Sequence, residues 1–236
     1  MTRAGKPIRN ITIDRPKSLA AIVAERLRQA IMRAEFALGE MVSEEKIASA
    51  MNVSRTPVRE ALTMLQMQGL ITILPQRGSF VFKPDANDLR ALVQFRLILE
   101  TQAAPLALKK DPVRALAKLH KAIDMMDRAR ETENILAYAE ADTIFHNTFF
   151  EFCGNRYLKE AYEIAAGRVA ALRAHLAVPL EMHRSRTYSE HLDMAAAFAN
   201  GDLDTLLGIL SQHIENMEGN YIRALSALEQ PVRQTQ

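Results

Sequence analysis

Hydrophobic positions recur along this chain with two periods. From Ser18 to about Ala34, Leu19, Ile22, Val23, Leu27 and Ile31 return every three to four residues, the spacing of one helix face. Ser18 supplies a hydroxyl to cap its start. From Ser43 the pattern shortens. Ile47, Ala48 and Met51 share one side of a short helix, and Asn52 and Val53 make a turn. A second helix opens at Ser54, whose hydroxyl can cap free N–H groups, with Pro57 in the first turn, where unpaired N–H groups make proline tolerable. On it Val58, Leu62 and Leu65 face a core, while Arg55, Arg59 and Thr63 lie on another face at i, i+4 and i+8. Gly69 stops that helix. The pattern then becomes that of strands: Ile71–Leu74 and Ser79–Phe82 read as two short ones, joined by a turn that carries Arg77 and Gly78.

Past a short connection at 83–85 the helical period returns. Six helices are predicted, over about 86–108, 111–130, 134–152, 156–177, 184–199 and 202–228, separated by glycine, proline or capping residues. Short connections imply antiparallel neighbours. The expected fold is therefore mainly α: an N-terminal winged helix-turn-helix over 18–82 and a C-terminal all-α antiparallel helical bundle over 86–230. A flexible basic arm over 1–17 and a tail at 231–236 flank them.

Charge sharpens the first part. The 236-residue chain carries 12 Lys and Arg against 7 Asp and Glu in residues 1–82, and 18 against 21 thereafter. A basic first third points to a polyanion partner for that part alone. A helix that is apolar on one side and cationic on the other suits double-stranded DNA. Arg55 and Arg59 are expected at base edges, Ser54 and Thr56 on phosphates, and Arg77 with Gly78 at the wing tip in or beside the minor groove. One winged helix covers few base pairs, so a homodimer on a pseudo-palindromic operator is expected. The single cysteine, Cys153, excludes an internal disulfide, and with the polar start it favours a cytoplasmic location. No apolar run reaches the roughly 18 residues of a membrane helix.

The bundle carries polar residues beside its apolar stripes. Asp142 and His146 share a face at i, i+4 next to Phe145 and Phe149; His191 lies beside Tyr188, Ala195 and Phe198; His213 lies among Leu206, Leu210 and Ile214. Buried unpaired, these four would be costly. One divalent transition metal would satisfy all of them. Three nitrogens and one oxygen suit zinc first, and also nickel, iron or manganese, with positions left open for water or a ligand. Arg96 and Arg168 also fall on inward-looking stripes, where a guanidinium can bind a small carboxylic-acid effector through two parallel hydrogen bonds, or else form a salt bridge such as Arg96 to Glu100.

The motifs VSRTPVREAL (Val53–Leu62), LxxxGLI (Leu65–Ile71) and RGSFV (Arg77–Val81) resemble the winged-helix domain of GntR-family bacterial transcription regulators. Some relatives carry a DNA-touching arginine in the first helix of the motif, where this chain has Glu44 and Glu45. Six helices in the remainder resemble the FCD effector-binding domain of those regulators, and the order D-x-x-x-H, H, H matches its metal-binding subset. The resemblance implies a repressor whose dimer contact runs through the first and fourth bundle helices, and whose effector re-spaces the winged helices on the operator. Two other readings stay open: a metal-dependent, hydrolase-like enzyme using the Asp/His/His/His site, and a DNA-binding protein whose metal is purely structural. Against an enzyme, no H-E-x-x-H or carboxylate pair stands out, and catalysis has no need of a winged helix.

Overall fold

The computed structural model describes residues 18–176 and 184–229; the predicted arm at 1–17 and tail at 231–236 lie outside the described residues. The first helix, α1 (Leu19–Met32), starts where Ser18 Oγ accepts from the Ala21 amide at 3.2 Å. After it come β1 (Met41–Val42), α2 (Glu44–Met51), α3 (Arg55–Met67), β2 (Ile71–Leu74) and β3 (Gly78–Val81). The three strands form an antiparallel sheet in the order β1-β3-β2, with Ile71 opposite Val81 and Leu74 opposite Gly78. The second wing strand thus begins at Gly78, one residue earlier than its pattern predicts. Strand β1 was not legible at all, because two residues carry no period; it exists through its pairing with Ser79 and Phe80. The wing turn uses left-handed backbone at Gln76 (φ 63°) and at Gly78 (φ 111°), and this leaves Arg77 exposed at the tip.

The bundle follows as α4 (Ala86–Lys110), α5 (Pro112–Glu131), α6 (Ile135–Phe152), α7 (Arg156–Leu176), α8 (Arg184–Asn200) and α9 (Leu203–Glu229). Each lies within a few residues of its expected span. Asp85 starts α4 with a full capping box, accepting from Asn87 and Asp88 while Asp88 accepts from Asp85. Helices α5 and α6 pack closely, as do α4 with α9, α8 with α9 and α6 with α7.

Two cores result. One fills the bundle around Leu119, Met126, Phe145, Phe149, Phe198 and Leu210. The other joins Leu27, Ile31, Val58, Leu62, Leu65 and Leu70 of the winged helix to Leu172 and Leu176 of α7 and to Tyr221 and Leu225 of α9. Packing therefore crosses the predicted connection at 83–85. Helix α7 belongs to both cores, with Tyr162 in the first and Leu172 in the second.

Candidate metal centre and DNA-binding face

Helix α6 places Asp142 and His146 one turn apart, α8 brings His191 and α9 brings His213. The four predicted ligands converge: one ligand atom from each lies within 4.8 Å of all the others. Asp142 Oδ1 is 2.9 Å from His191 Nε2 and 3.6 Å from His146 Nε2, and His146 Nε2 is 3.3 Å from His213 Nε2. All three imidazoles are buried.

What orients the rings is a second layer of acceptors. His146 Nδ1 meets Glu100 Oε2 at 2.6 Å, His213 Nδ1 meets Glu190 Oε2 at 2.7 Å, and His191 Nδ1 meets the Thr187 carbonyl at 2.6 Å. An acceptor on every Nδ1 requires that nitrogen to carry the proton. In a neutral ring so held, Nε2 turns its lone pair inward. Two Nε2 lone pairs 3.3 Å apart repel one another unless a cation lies between them. That spacing is close to what two nitrogens about 2.0–2.1 Å from one tetrahedral ion would show. Burial drives the His213 pKa down to about 4 in spite of Glu190, so its ring is neutral and ready to ligate near pH 7. Asp142 also suits a cation: burial opposes its ionisation, but Arg173, His146 and His191 outweigh it and hold the carboxyl well below its ordinary range. Arg173 Nε grips Asp142 Oδ2 from the side away from the histidines. The donor set fits a divalent metal.

Beside this cluster lies a second one. Arg96 is 1% exposed and donates through Nε to Glu100 Oε1 at 2.8 Å. Among the described residues its terminal nitrogens Nη1 and Nη2 find no hydrogen-bond partner; nor do Arg173 Nη2 or the hydroxyls of Tyr162 and Tyr221. Burial pushes Tyr162 up to about 12 and Tyr221 upward as well, so both hydroxyls keep their protons and remain donors. Buried donors without acceptors are costly, and an anion would satisfy them. The predicted salt bridge from Arg96 to Glu100 thus exists, and the guanidinium still has two nitrogens to offer.

Arg168 does not join this site. It packs where α3 ends: a Cβ added to Gly69 would meet its Nε at 3.1 Å. It lines a cavity of about 570 Å³ between the wing and helices α4 and α7, together with Phe82, Phe95 and Leu172. Its stripe on α7 faces the winged helix rather than the bundle interior, so the structure does not bring it together with Arg96. Periodicity shows that a side chain is inward, not which of two cores it faces. Sequence reasoning also missed Glu190, Arg173 and the role of Glu100. The i, i+4 spacing of Arg96 and Glu100 was readable, but nothing local shows that Glu100 reaches a histidine 46 residues away.

On the other face, Arg55, Thr56 and Arg59 stand exposed along α3, with Val58, Ala61, Leu62 and Leu65 buried behind them. Ser54 holds the N-cap position with extended backbone, but its side chain makes no capping bond, contrary to the expectation from its type. Its hydroxyl stays available to an outside partner. The arginines are paired for now: Arg59 Nε with Glu44 Oε2 at 2.7 Å, and Arg55 Nη2 with Glu45 Oε2 at 3.0 Å.

A winged helix packed on a helical bundle with a buried Asp/His cluster is the build of a bacterial DNA-binding regulator. Residues 19–81 match the model of bacterial regulatory proteins of the gntR family, and residues 91–216 match the FCD domain. The chain belongs to the GntR family, in its FCD-domain class, and is a DNA-binding transcription regulator. It is 33% identical over 148 residues to an HTH-type transcriptional regulator from the TAR-I ttuE-ttuC' intergenic region of Agrobacterium vitis, covering 61% of this chain and 86% of that protein. It is 28% identical to the transcriptional repressor NanR of Cronobacter sakazakii, covering 85% of this chain and 84% of the repressor. Among solved structures, a GntR transcriptional regulator from Rhodococcus sp. RHA1 superposes with a TM-score of 0.77 at 25% identity, over 87% of this chain and 98% of that one. The metal-free FCD domain of TM0439 shares the fold at 19% identity, with a TM-score of 0.53 over 61% of this chain and 99% of that one. No helix among the described residues is long and apolar enough to cross a membrane.

Proposed function

We propose that this regulator is a cytoplasmic, homodimeric repressor whose hold on a pseudo-palindromic operator is controlled by a small organic acid bound beside one divalent metal, zinc first among the candidates. The observation that carries the reading is the orientation of three Nε2 atoms and Asp142 Oδ1 toward one point, each ring fixed from behind by an acceptor. Asp142, His146, His191 and His213 would hold the ion. The metal supplies a Lewis-acidic charge to which a carboxylate can bind. Around it, Arg96 and Arg173 balance Glu100 and Asp142, so a divalent ion leaves a buried positive surplus. In a low-dielectric interior such a surplus favours an anion. Arg96 Nη1 and Nη2, with the Tyr162 and Tyr221 hydroxyls, offer the donors to orient it.

Helix α7 supports a route from this centre to the DNA. Its Arg173 holds a metal ligand, while its Gly167 and Arg168 lie against Leu70 and Gly69 at the end of the recognition helix. A shift of α7 would re-aim α3, and for the acid to act it must prefer one of the two positions. Ile98 on α4 and Ile164 on α7 are 63% and 62% exposed, and Tyr157 on α7 is 67% exposed; they suit a two-fold contact through the first and fourth bundle helices. Ile98→Asp with Ile164→Asp should yield monomers in sedimentation velocity, and an unchanged dimer would place the contact elsewhere. Catalysis is not favoured: the carboxylates of Glu100, Glu190 and Asp142 are each already bonded to a histidine or an arginine, so none is left as a general base. The reading is tested by thermal shift with a set of small carboxylic acids on zinc-loaded and chelator-treated protein. An acid should raise the melting temperature of the zinc-loaded form far more than that of the stripped form. Equal stabilisation of both would separate the acid from the metal.

A further inference from the structure

The recognition helix is faced by two carboxylates that the DNA-binding reading leaves unexplained. Glu44 and Glu45 open α2, and each reaches one of the two arginines of the cationic face of α3. Glu44 and Arg59 lie 15 positions apart in sequence, so their pairing is a product of the fold. It contributes little to folding, because the side chains of Arg59 and Arg55 are 65% and 54% exposed and exposed ion pairs are screened by water. The acids are also in an unfavourable place for a protein that binds a polyanion: in a helix-turn-helix the first helix crosses the phosphate backbone.

The geometry of the stronger pair offers a reason. Arg59 is held through Nε, the nitrogen on the side of the guanidinium. Its two terminal nitrogens, the ones that read O6 and N7 of guanine, make no hydrogen bond among the described residues, and the side chain is 65% exposed. A carboxylate beside an arginine competes with phosphate for it and repels the backbone on any duplex. Guanine acceptors in the groove meet the guanidinium without requiring Glu44 to leave. We propose that Glu44 is a positioning residue for sequence readout: it aims Arg59 at base edges and withholds it from phosphates, while Glu45, which holds Arg55 through the terminal Nη2, only competes with phosphate for it, and together the two acids set the ratio of operator to non-specific affinity. This inference rests on the reading of Arg55 and Arg59 as base-contacting residues.

The test uses the full chain, a duplex selected by that chain from a random-sequence pool, and a scrambled duplex of the same length. Fluorescence anisotropy is read from 50 to 200 mM KCl, concentrations over which phosphate contacts reveal themselves as a salt slope of about 0.9 per contact. Glu44→Gln with Glu45→Gln should bind the scrambled duplex at least ~3-fold more tightly, with a slope steeper by about 1 to 2. The selected-to-scrambled ratio should fall at least ~5-fold, and Glu44→Asp should keep that ratio close to the parent value. An unchanged ratio and slope would overturn the proposal. So would equal loss of both affinities with a lowered melting temperature, which would assign the acids to the helix N-terminus alone. Arg59→Ala separates the two readings: unchanged binding to the selected duplex would remove the recognition face itself, whereas lost binding with a glutamine-insensitive ratio would remove only the role of the acids.

Discussion

The winged helix and the bundle both carry arginine–carboxylate pairs, and the two sets differ in one respect, solvent. Arg59 and Glu44 meet at the surface, where the bond is weak and can exchange for a DNA partner. Arg96 and Glu100 meet with side chains 1% and 0% exposed, where neither charge can be left alone. Surface charges can therefore be changed one at a time with effects confined to binding. Buried charges form one network, running from Arg96 through Glu100 to His146, and from His146, His191 and Asp142 to Arg173. A change at any point strands its neighbours.

The largest expected effect breaks that network. Glu100→Gln leaves Arg96 buried without a counter-charge and weakens the acceptor on His146 Nδ1, so stability to urea should fall by about 3–5 kcal/mol. A change below 1 kcal/mol would mean that the interior is more hydrated than its burial indicates. At the surface, Arg59→Ala should melt like the parent yet lose about 1–3 kcal/mol of operator affinity in a gel-shift titration at fixed salt. Parental affinity would remove Arg59 from the contact surface. Smaller still, Arg77→Ala at the wing tip should weaken all duplexes about equally and reduce the salt slope by about 1. A sequence-dependent loss would make the wing a base reader.

The same difference governs what was legible in the sequence. Helix spans in the bundle followed from period and stop signals, because those are local. Asp142, His146, His191 and His213 were readable too, since a polar residue beside an apolar stripe stands out wherever it falls, and they do converge. The partners that orient them were not, because Glu100, Glu190 and Arg173 look like the ordinary charged residues of amphipathic helices. Only the packing of α4, α7 and α8 shows which of them turn inward. Arg168 shows the limit of the stripe itself: it is inward, but toward Gly69 and the winged-helix core. Strand β1 had no local signal at all.

Effector control in this bundle depends on the metal. Elemental analysis of the purified full chain, set beside the His191→Ala, His213→Ala variant and paired with operator titration of both, tests it most directly. The parent should carry one divalent transition metal per chain, and zinc at about 100 times its Kd should add about 2.7 kcal/mol of stability. The variant should carry none and show no response to zinc, while still binding the operator through a winged helix that neither histidine touches. Full metal occupancy in the variant would contradict the assignment of Asp142, His146, His191 and His213 as its ligands.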